Sequence, residues 1–151
     1  MRTHKNLLFL LIGDGEELHK LKRKVKQLDL NNICFTGFKE NALEYMYASD
    51  VYISSSKGEA LGYSIIESQM LGIPVIASDV MGHNEIISDG INGLLFSLDD
   101  IEKAKVFLIK LIEDQSTAKK MVENGRIKFL NCFKLDNMLT SIMEIYLNIL
   151  K

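Results

Sequence analysis

The sequence predicts an α/β fold, a Rossmann-like doubly wound parallel sheet with a helical C-terminal tail. Through the first two-thirds of the 151 residues, short apolar runs alternate with amphipathic segments of helical period. Strands that alternate with helices build βα units, whose parallel strands are joined by right-handed crossovers. After residue 99, apolar residues recur only at helical spacing. With 47% hydrophobic and 25% charged residues, the chain has the composition and length of one globular domain.

Five short apolar runs are predicted as strands: residues 7–12, 33–35, 51–53, 75–77 and 94–96. The first run is apolar without interruption and ends at Gly13-Asp14-Gly15, which favours a central strand covered on both faces. The only proline, Pro74, opens the fourth run, at a position that a strand tolerates.

The helices are predicted from apolar stripes and from their end signals. Leu18, Leu21, Val25 and Leu28 form one stripe, and the lysines between them face water. Shorter helices are expected at 43–47 and 82–87. A helix from about 62 to 71 ends at Gly72, a usual helix terminator. Three further stripes, beyond residue 99, predict the helical tail.

Composition excludes several classes of function. The net charge of −2 leaves no basic field for a nucleic-acid backbone. Cys34, Cys132 and the three histidines show no metal-ligand spacing. The basic segment 1–5 and the apolar run that follows lack the cleavage site of a signal peptide, and the run is too short to span a bilayer. We therefore expect a cytoplasmic protein without a metal.

The loop at residues 54–62 is the most informative stretch for function. Ligands of open parallel sheets bind at the carboxyl ends of the strands, and this loop leads from such an end into a helix. Its free backbone N–H groups and the helix dipole favour an anion, usually phosphate. Glu59 precedes the helix, and Glu67 lies about one and a half turns into it. Two carboxylates at this offset could flank a diphosphate and accept hydrogen bonds from sugar hydroxyls.

Spacing alone leaves a plain structural explanation equally open. Glu59 would then be a charge favoured by the helix dipole, and Glu67 an exposed helix residue. The apolar neighbours of Glu67, among them Ile66 and Met70, favour a functional carboxylate. A glycosidase acid/base pair has no support in the spacing, and no serine lies in a nucleophile elbow.

The segment Glu59-Ala-Leu-Gly-Tyr-Ser-Ile-Ile-Glu67, followed by Met70-Leu-Gly-Ile-Pro-Val-Ile-Ala-Ser-Asp79, resembles the E-x7-E region of retaining GT-B glycosyltransferases of the family 4 type. Flanking blocks match in the same order, and the resemblance spans roughly residues 7–150. They are Leu11-Ile-Gly-Asp-Gly-Glu16, Phe35-Thr-Gly-Phe38, Ala48-Ser-Asp-Val51, Gly82-His-Asn-Glu85 and Asp89-Gly-Ile-Asn-Gly-Leu-Leu95.

The resemblance implies two Rossmann-like domains across a cleft, with the nucleotide-sugar in the C-terminal domain and the acceptor in the N-terminal one. It places Glu59 at the catalytic position, on hydroxyls of the transferred sugar, and Glu67 on the ribose hydroxyls. Phe38 and Lys39 would lie against the base. The backbone N–H groups that would face the sugar and diphosphate are those of Ala60, Leu61, Gly62 and Tyr63.

The implied reaction is hexose transfer with retention from a UDP-sugar or GDP-sugar to a saccharide or lipid-linked acceptor, with neither cofactor nor metal. Bacterial surface polysaccharide synthesis, of lipopolysaccharide or capsule, is the implied setting. The implied location is the cytoplasm, with peripheral association at the inner membrane face as an option.

Two features depart from the family pattern. Ala60 stands where the family usually has glycine, and Gly58 comes before the glutamate instead. The first strand and helix, with their phosphate-binding arginine and lysine, and the acceptor domain have no counterpart in the chain. Residues 1–151 are therefore interpreted as an N-terminally truncated donor domain with little or no activity alone. A separate chain or a second copy would complete it.

Two alternatives stay open. The chain could be a non-catalytic nucleotide-sugar-binding or structural subunit that completes another chain. A GT-B-like sugar-nucleotide epimerase would need catalytic carboxylates and a histidine that the sequence does not identify.

Overall fold

A computed structural model describes residues 7–150; the basic segment 1–5 lies outside the described residues. The chain divides into two compact units, an N-terminal unit that ends at Tyr45 and a C-terminal unit that begins at Met46. Each unit has its own parallel sheet.

The N-terminal unit contains a βαβ unit, as the sequence predicts. Strands β1 (Phe9–Ile12) and β2 (Ile33–Gly37) are parallel, and helix α1 (Leu18–Gln27) connects them. Helix α2 (Ala42–Tyr47) begins in this unit and runs into the next. Every residue of β1 is only half-buried, so the expectation of a strand covered on both faces is wrong. Among the residues described, β1 has a hydrogen-bonded neighbour only in β2.

The C-terminal unit holds the other three strands and the helical tail. Its sheet has the order β3-β4-β5, and both pairings are parallel. The predicted strands and the tail are therefore confirmed. The elements are β3 (Tyr52–Ser54), α3 (Tyr63–Leu71), β4 (Val75–Ser78), α4 (His83–Ile86), β5 (Leu94–Phe96), α5 (Ile101–Glu113), α6 (Gln115–Cys132) and α7 (Leu135–Ile149).

The core of the C-terminal unit lies around β4, all four residues of which are buried. Helix α3 covers this sheet and also packs on α6, where Gly125 allows close approach: a Cβ there would lie 3.1 Å from Gln69 Cγ. Gly72, in the left-handed conformation with φ 77°, ends α3 as predicted. The six residues that form the core cluster are Ile65, Val75, Ala77, Ile86, Ile87 and Leu95.

Two aspartates cap helices of the tail. Asp100 accepts a hydrogen bond from the Lys103 N–H at the start of α5, and Asp114 accepts one from the Thr117 N–H at the start of α6. Hydrogen bonds from the Ser116 and Thr117 hydroxyl groups hold the pKa of Asp114 well below its usual value. Helix α7 has no buried residue. Among residues 7–150, no helix combines the length and the apolar character that crossing a bilayer requires.

Candidate functional site

The loop between β3 and α3 lies at the carboxyl end of β3, where the parallel-sheet rule places a ligand. Gly62 is the N-cap of α3, so the helix begins where the sequence predicts. A Cβ at Gly62 would lie 3.1 Å from both His83 Cδ2 and Ile65 Cδ1. The start of the helix is thus packed directly on the turn that carries His83.

Glu59 is half-buried and fixed through both its backbone and its side chain. Its Oε1 accepts a hydrogen bond from the Ser56 hydroxyl at 2.8 Å. Its N–H donates to the Met81 carbonyl at 3.2 Å. Gly82 lies against the same peptide at φ 86°, and a Cβ there would overlap the Glu59 carbonyl oxygen. The Glu59 carboxylate is therefore held by Ser56, and the Gly82 turn supports the Glu59 backbone, while the predicted place of this carboxylate beside a bound donor stays a prediction.

The start of α3 offers free hydrogen-bond donors. Within the described residues, the backbone N–H groups of Ala60, Leu61 and Gly62 donate no hydrogen bond, whereas Tyr63 N–H donates to the Leu61 carbonyl at 2.9 Å. Three of the four amides predicted to face the donor therefore lack a protein partner; Ala60 is exposed and Leu61 half-buried, whereas Gly62 is buried. Together with the positive end of the helix dipole, they make an environment that favours an anion.

Glu67 lies in the middle of α3 and is half-buried. No hydrogen bond or ion pair to its carboxylate is found in residues 7–150. Its neighbour Ile65 is fully buried, whereas Met70 is 38% exposed. An unpaired, partly desolvated carboxylate is ready to accept hydrogen bonds from a ligand, and the ribose contact proposed for it stays a prediction.

Phe38 and Lys39 belong to the N-terminal unit, directly after the last residue of β2. The Phe38 side chain is 73% exposed. The Lys39 ammonium lies 5.6 Å from the centre of the Tyr45 ring. The base contact predicted for these residues stays a prediction, as do the roles of both glutamates.

A buried polar network behind Glu59 was not identified from the sequence. Ser78, at the end of β4, donates its hydroxyl hydrogen to the Ser56 carbonyl at 2.6 Å. His83 is 1% exposed, and its Nδ1 lies 2.9 Å from the Ser78 carbonyl oxygen. Its Nε2 lies 3.5 Å from Ser54 Oγ. The only local sequence signal for this network is the pair Ser54 and Ser56 before the glutamate. The other members, Ser78 and His83, come more than twenty residues later.

Two shallow concavities are found in residues 7–150, one in each unit. Neither is lined by Glu59 or Glu67, so the predicted donor pocket between these carboxylates stays a prediction. The one in the N-terminal unit, about 200 Å³, is lined by Leu11, Ile12, Gly13, Asp14, Gly15, Glu17, Leu18, Leu21 and Phe35. The one in the C-terminal unit, about 270 Å³, is lined by Ser88, Ile91, Asn92, Asn124, Ile127, Lys128, Asn131 and Cys132.

The block at residues 89–95 fixes the turn before β5. Asp89 Oδ1 accepts a hydrogen bond from the Leu95 N–H at 2.8 Å. Asn92 is 4% exposed, accepts from the Ser88 N–H and donates to the Ile86 carbonyl. Both polar side chains therefore satisfy backbone groups of the turn, and this part of the motif has a structural role here.

Comparison with known proteins gives consistent matches along most of the chain. The family model "Glycosyl transferases group 1" matches residues 1–128. An uncharacterized glycosyltransferase of Methanocaldococcus jannaschii, MJ1069, is 35% identical over 125 residues, which are 81% of this chain and 32% of that protein. The UDP-Gal:alpha-D-GlcNAc-diphosphoundecaprenol alpha-1,3-galactosyltransferase of Escherichia coli is 28% identical over 144 residues, 93% of this chain and 37% of that protein.

Among solved structures, Alr3699/HepE of Anabaena in complex with UDP-glucose superposes with a TM-score of 0.84 at 26% identity. The alignment covers 95% of this chain and 42% of that one. The chain thus spans about a third of the length of the curated relatives and well under half of this structure.

Proposed function

Because the chain belongs to the family of glycosyl transferases group 1, we propose that it is the donor-binding domain of a retaining hexosyltransferase. Its Rossmann-like parallel fold is that of the C-terminal domain of GT-B glycosyltransferases. The proposed reaction moves a hexose from a UDP-sugar or GDP-sugar to a saccharide or lipid-linked acceptor. The proposed setting is bacterial surface polysaccharide synthesis, on the cytoplasmic side of the membrane.

The observation that carries the proposal is the arrangement at the start of α3. Unpaired N–H groups stand at the positive end of a nine-residue helix, those of the exposed Ala60, the half-buried Leu61 and the buried Gly62. The half-buried Glu59 directly precedes these residues in sequence, and its carboxylate is held by Ser56. Free amides bind phosphate oxygens, and a carboxylate accepts hydrogen bonds from sugar hydroxyls, so a sugar diphosphate satisfies both.

The proposed contacts follow from this arrangement. Glu67, whose carboxylate is unpaired, takes the ribose hydroxyls, and Glu59 takes hydroxyls of the transferred sugar. Phe38 and Lys39 contact the base. Charge on the leaving diphosphate is stabilised by the helix dipole of α3, and by basic side chains supplied from outside these 151 residues, rather than by a metal ion. The acceptor hydroxyl enters from the face that the diphosphate leaves, which retains the anomeric configuration.

Transfer also needs an acceptor-binding domain, which we propose lies outside these 151 residues. A longer form of the protein, a separate chain or a second copy would supply it. The named relative from Escherichia coli acts on a diphosphoundecaprenol-linked sugar, and an acceptor of this lipid-linked class fits the proposal. We expect the isolated chain to bind the donor with little or no sugar transfer.

A second candidate, a non-catalytic subunit that completes another chain, is favoured by the surface of α7. Its apolar side chains are exposed, among them Met138 at 51%, Ile145 at 58% and Ile149 at 74%. An apolar helix face of this extent is typical of a protein contact. A subunit of this kind would restore sugar transfer when it is added to its partner chain. The Glu59→Gln variant would restore transfer as well as the wild type does, because Glu59 would have no catalytic role.

Thermal unfolding in the presence of UDP-glucose, GDP-mannose, UDP and GDP tests the proposal. A ligand that binds only the native state raises the midpoint of unfolding. We expect either the uridine nucleotides or the guanosine nucleotides to stabilise the wild type. Glu67→Ala should weaken that binding about 10- to 100-fold, as loss of a charge-assisted hydrogen bond does. Glu123→Ala, which removes an exposed glutamate of α6, is the matched control. Equal stabilisation of wild type and Glu67→Ala would remove the ribose assignment.

A further inference from the structure

We infer that Ser78 and His83 are positioning residues, which hold the Glu59 carboxylate in its sugar-binding orientation through Ser56. The inference rests on the proposed function, since it assigns a role toward the donor sugar. None of the side chains of Ser56, Ser78 and His83 needs to contact the donor. Their part is to fix the one carboxylate that does.

The connection from Ser78 to Glu59 has two short hydrogen bonds. The Ser78 hydroxyl donates to the Ser56 carbonyl at 2.6 Å. The Ser56 hydroxyl in turn donates to Glu59 Oε1 at 2.8 Å. Ser78 therefore fixes the backbone of Ser56, and the Ser56 side chain fixes the carboxylate.

The Ser78 hydroxyl is itself held on the other side by His83. A carbonyl oxygen can only accept, so the 2.9 Å contact between His83 Nδ1 and the Ser78 carbonyl places a hydrogen on Nδ1. The same N–H lies 3.3 Å from Ser78 Oγ. With Nδ1 as donor to this serine, the Ser78 hydroxyl hydrogen is left for the Ser56 carbonyl.

Burial gives this network its rigidity. Ser78 is 0% exposed and His83 is 1% exposed. Leaving a buried hydroxyl without a partner is costly, so the buried groups hold their hydrogen bonds strongly. The Ser78 backbone is fixed as well, because Ser78 belongs to the central strand β4 and pairs with Phe96 of the neighbouring strand β5. The orientation of the Glu59 carboxylate is thus fixed, through Ser56 and Ser78, by β4, the most buried strand of the unit.

Two tightly packed glycines, Gly82 and Gly62, also restrict movement of the network. Gly82, adjacent to His83, lies so close to the Glu59 peptide that a Cβ would overlap its carbonyl oxygen. Gly62 lies against the His83 ring. The same histidine turn therefore contacts both the peptide of Glu59 and the start of α3. A carboxylate supported in this way has its orientation set before a sugar arrives, which lowers the ordering cost of binding.

The experiment uses four variants of the full chain and two readouts. Ser56→Ala removes the direct hydrogen bond, Ser78→Ala removes the buried one, and Ser56→Thr restores a hydroxyl at the half-buried loop position. Ser55→Ala is the matched control, because Ser55 is exposed in the same loop and, within residues 7–150, its hydroxyl makes no hydrogen bond. The readouts are the side-chain scalar couplings of Glu59 by NMR and the binding constants for UDP-glucose and UDP.

We expect wild type, Ser55→Ala and Ser56→Thr to show one Glu59 rotamer, and Ser56→Ala and Ser78→Ala to show rotamer averaging. The ratio of UDP-glucose affinity to UDP affinity should fall about three- to tenfold in the two averaging variants, as for the loss of one hydrogen bond. UDP affinity itself should stay unchanged, because the ribose contact on Glu67 is untouched. A general loss of structure would weaken both ligands together.

Three outcomes overturn the inference, and they are distinguishable. An unchanged Glu59 rotamer in Ser56→Ala, a loop variant that leaves the core intact, would show that the serines do not position the carboxylate, whatever the donor. Normal UDP-glucose binding by the wild type with an unaltered affinity ratio in both alanine variants would refute the role toward the sugar and leave the proposed function standing. If the wild type bound none of the nucleotides, the proposed function would fail and this role with it.

Discussion

Strands β1 and β4 are both four residues long, and each lies in one of the two compact units. The sequence of β1, Phe-Leu-Leu-Ile, is the more apolar, whereas β4 reads Val-Ile-Ala-Ser. Yet β1 is half-buried along its length and β4 is buried at every residue. The more apolar strand is therefore the less covered one.

The difference shows that neighbours, more than composition, decide how far a strand is buried. β4 has a parallel strand on each side, and helices α3 and α5 pack on it. Within residues 7–150, β1 pairs with one strand only. No residue from 7 to 45 is buried. The stability of the described chain is thus concentrated in the unit that also carries Glu59 and Glu67.

The largest expected effect comes from removing core volume in β4. Ile76 is 0% exposed, and Ile76→Ala should lower the free energy of unfolding by about 3–4 kcal/mol, through lost burial and a residual cavity. Leu10→Ala in β1 is the matched change at a half-buried position and should cost less than half as much. Urea denaturation measures both values. Equal losses would contradict the concentration of stability in the C-terminal unit.

A smaller effect is expected at the glycine that supports Glu59. Gly82→Ala places a Cβ against the Glu59 peptide at φ 86°, so the loop must shift, at about 2–3 kcal/mol. Gly90→Ala is the control: its φ is 75°, but a Cβ there meets nothing within 4 Å, and it should cost about 1 kcal/mol for conformation alone.

The two glycine variants are compared by thermal unfolding and by nucleotide binding. Only Gly82→Ala should lose affinity for UDP-glucose, because only that turn contacts the Glu59 loop. A Gly82→Ala variant with the stability and binding of Gly90→Ala would show that the loop is not held by this contact.

Much of the fold could be predicted from local patterns. Gly62 and Gly72 bracket α3 because a helix start and a left-handed terminator have sequence signatures of their own. Pro74 marked the start of the fourth strand for the same reason. The burial of β1 could not be predicted, since an apolar run specifies a strand but not the number of strands beside it.

The candidate site was predictable only in part. Glu59 and Glu67 stand out because one precedes a helix and the other lies in the middle of the same helix. The contact of Ser78 with Ser56 joins residues 22 positions apart, and no local period reports such a contact. His83 was interpreted as an isolated histidine, because its partners are serine and backbone oxygens, which leave no spacing pattern.

The smallest expected effect is on the pH dependence of stability, and it differs between helix α6 of the C-terminal unit and helix α1 of the N-terminal unit. Asp114 caps α6 through its side chain, whereas Glu17 at the start of α1 makes no capping hydrogen bond. Hydroxyl groups of Ser116 and Thr117 keep the pKa of Asp114 below its usual value. In α1, the pairing with Glu17 raises the pKa of Lys20.

The signs of these shifts give opposite pH windows. A lowered carboxyl pKa contributes stability that is present above the unfolded-state pKa, about 4, and is lost as the pH falls toward the folded-state pKa. A raised lysine pKa contributes stability that is lost only as the pH rises past about 10.5. Acid should therefore weaken the start of α6 through Asp114, whereas the raised pKa of Lys20 concerns the alkaline range only.

Asp114→Asn isolates this effect, because asparagine still caps a helix but does not titrate. The wild type should be more stable than this variant at pH 6, and the difference should shrink as the pH falls from 4 to 2. Asp14→Asn, an exposed change in the N-terminal unit, is the comparison and should show a flatter dependence. If the difference for Asp114→Asn stayed constant over this range, the hydroxyl groups of Ser116 and Thr117 would not favour the charged carboxylate. The start of α6 would then depend only on the hydrogen bond from the Thr117 N–H to the side chain at position 114.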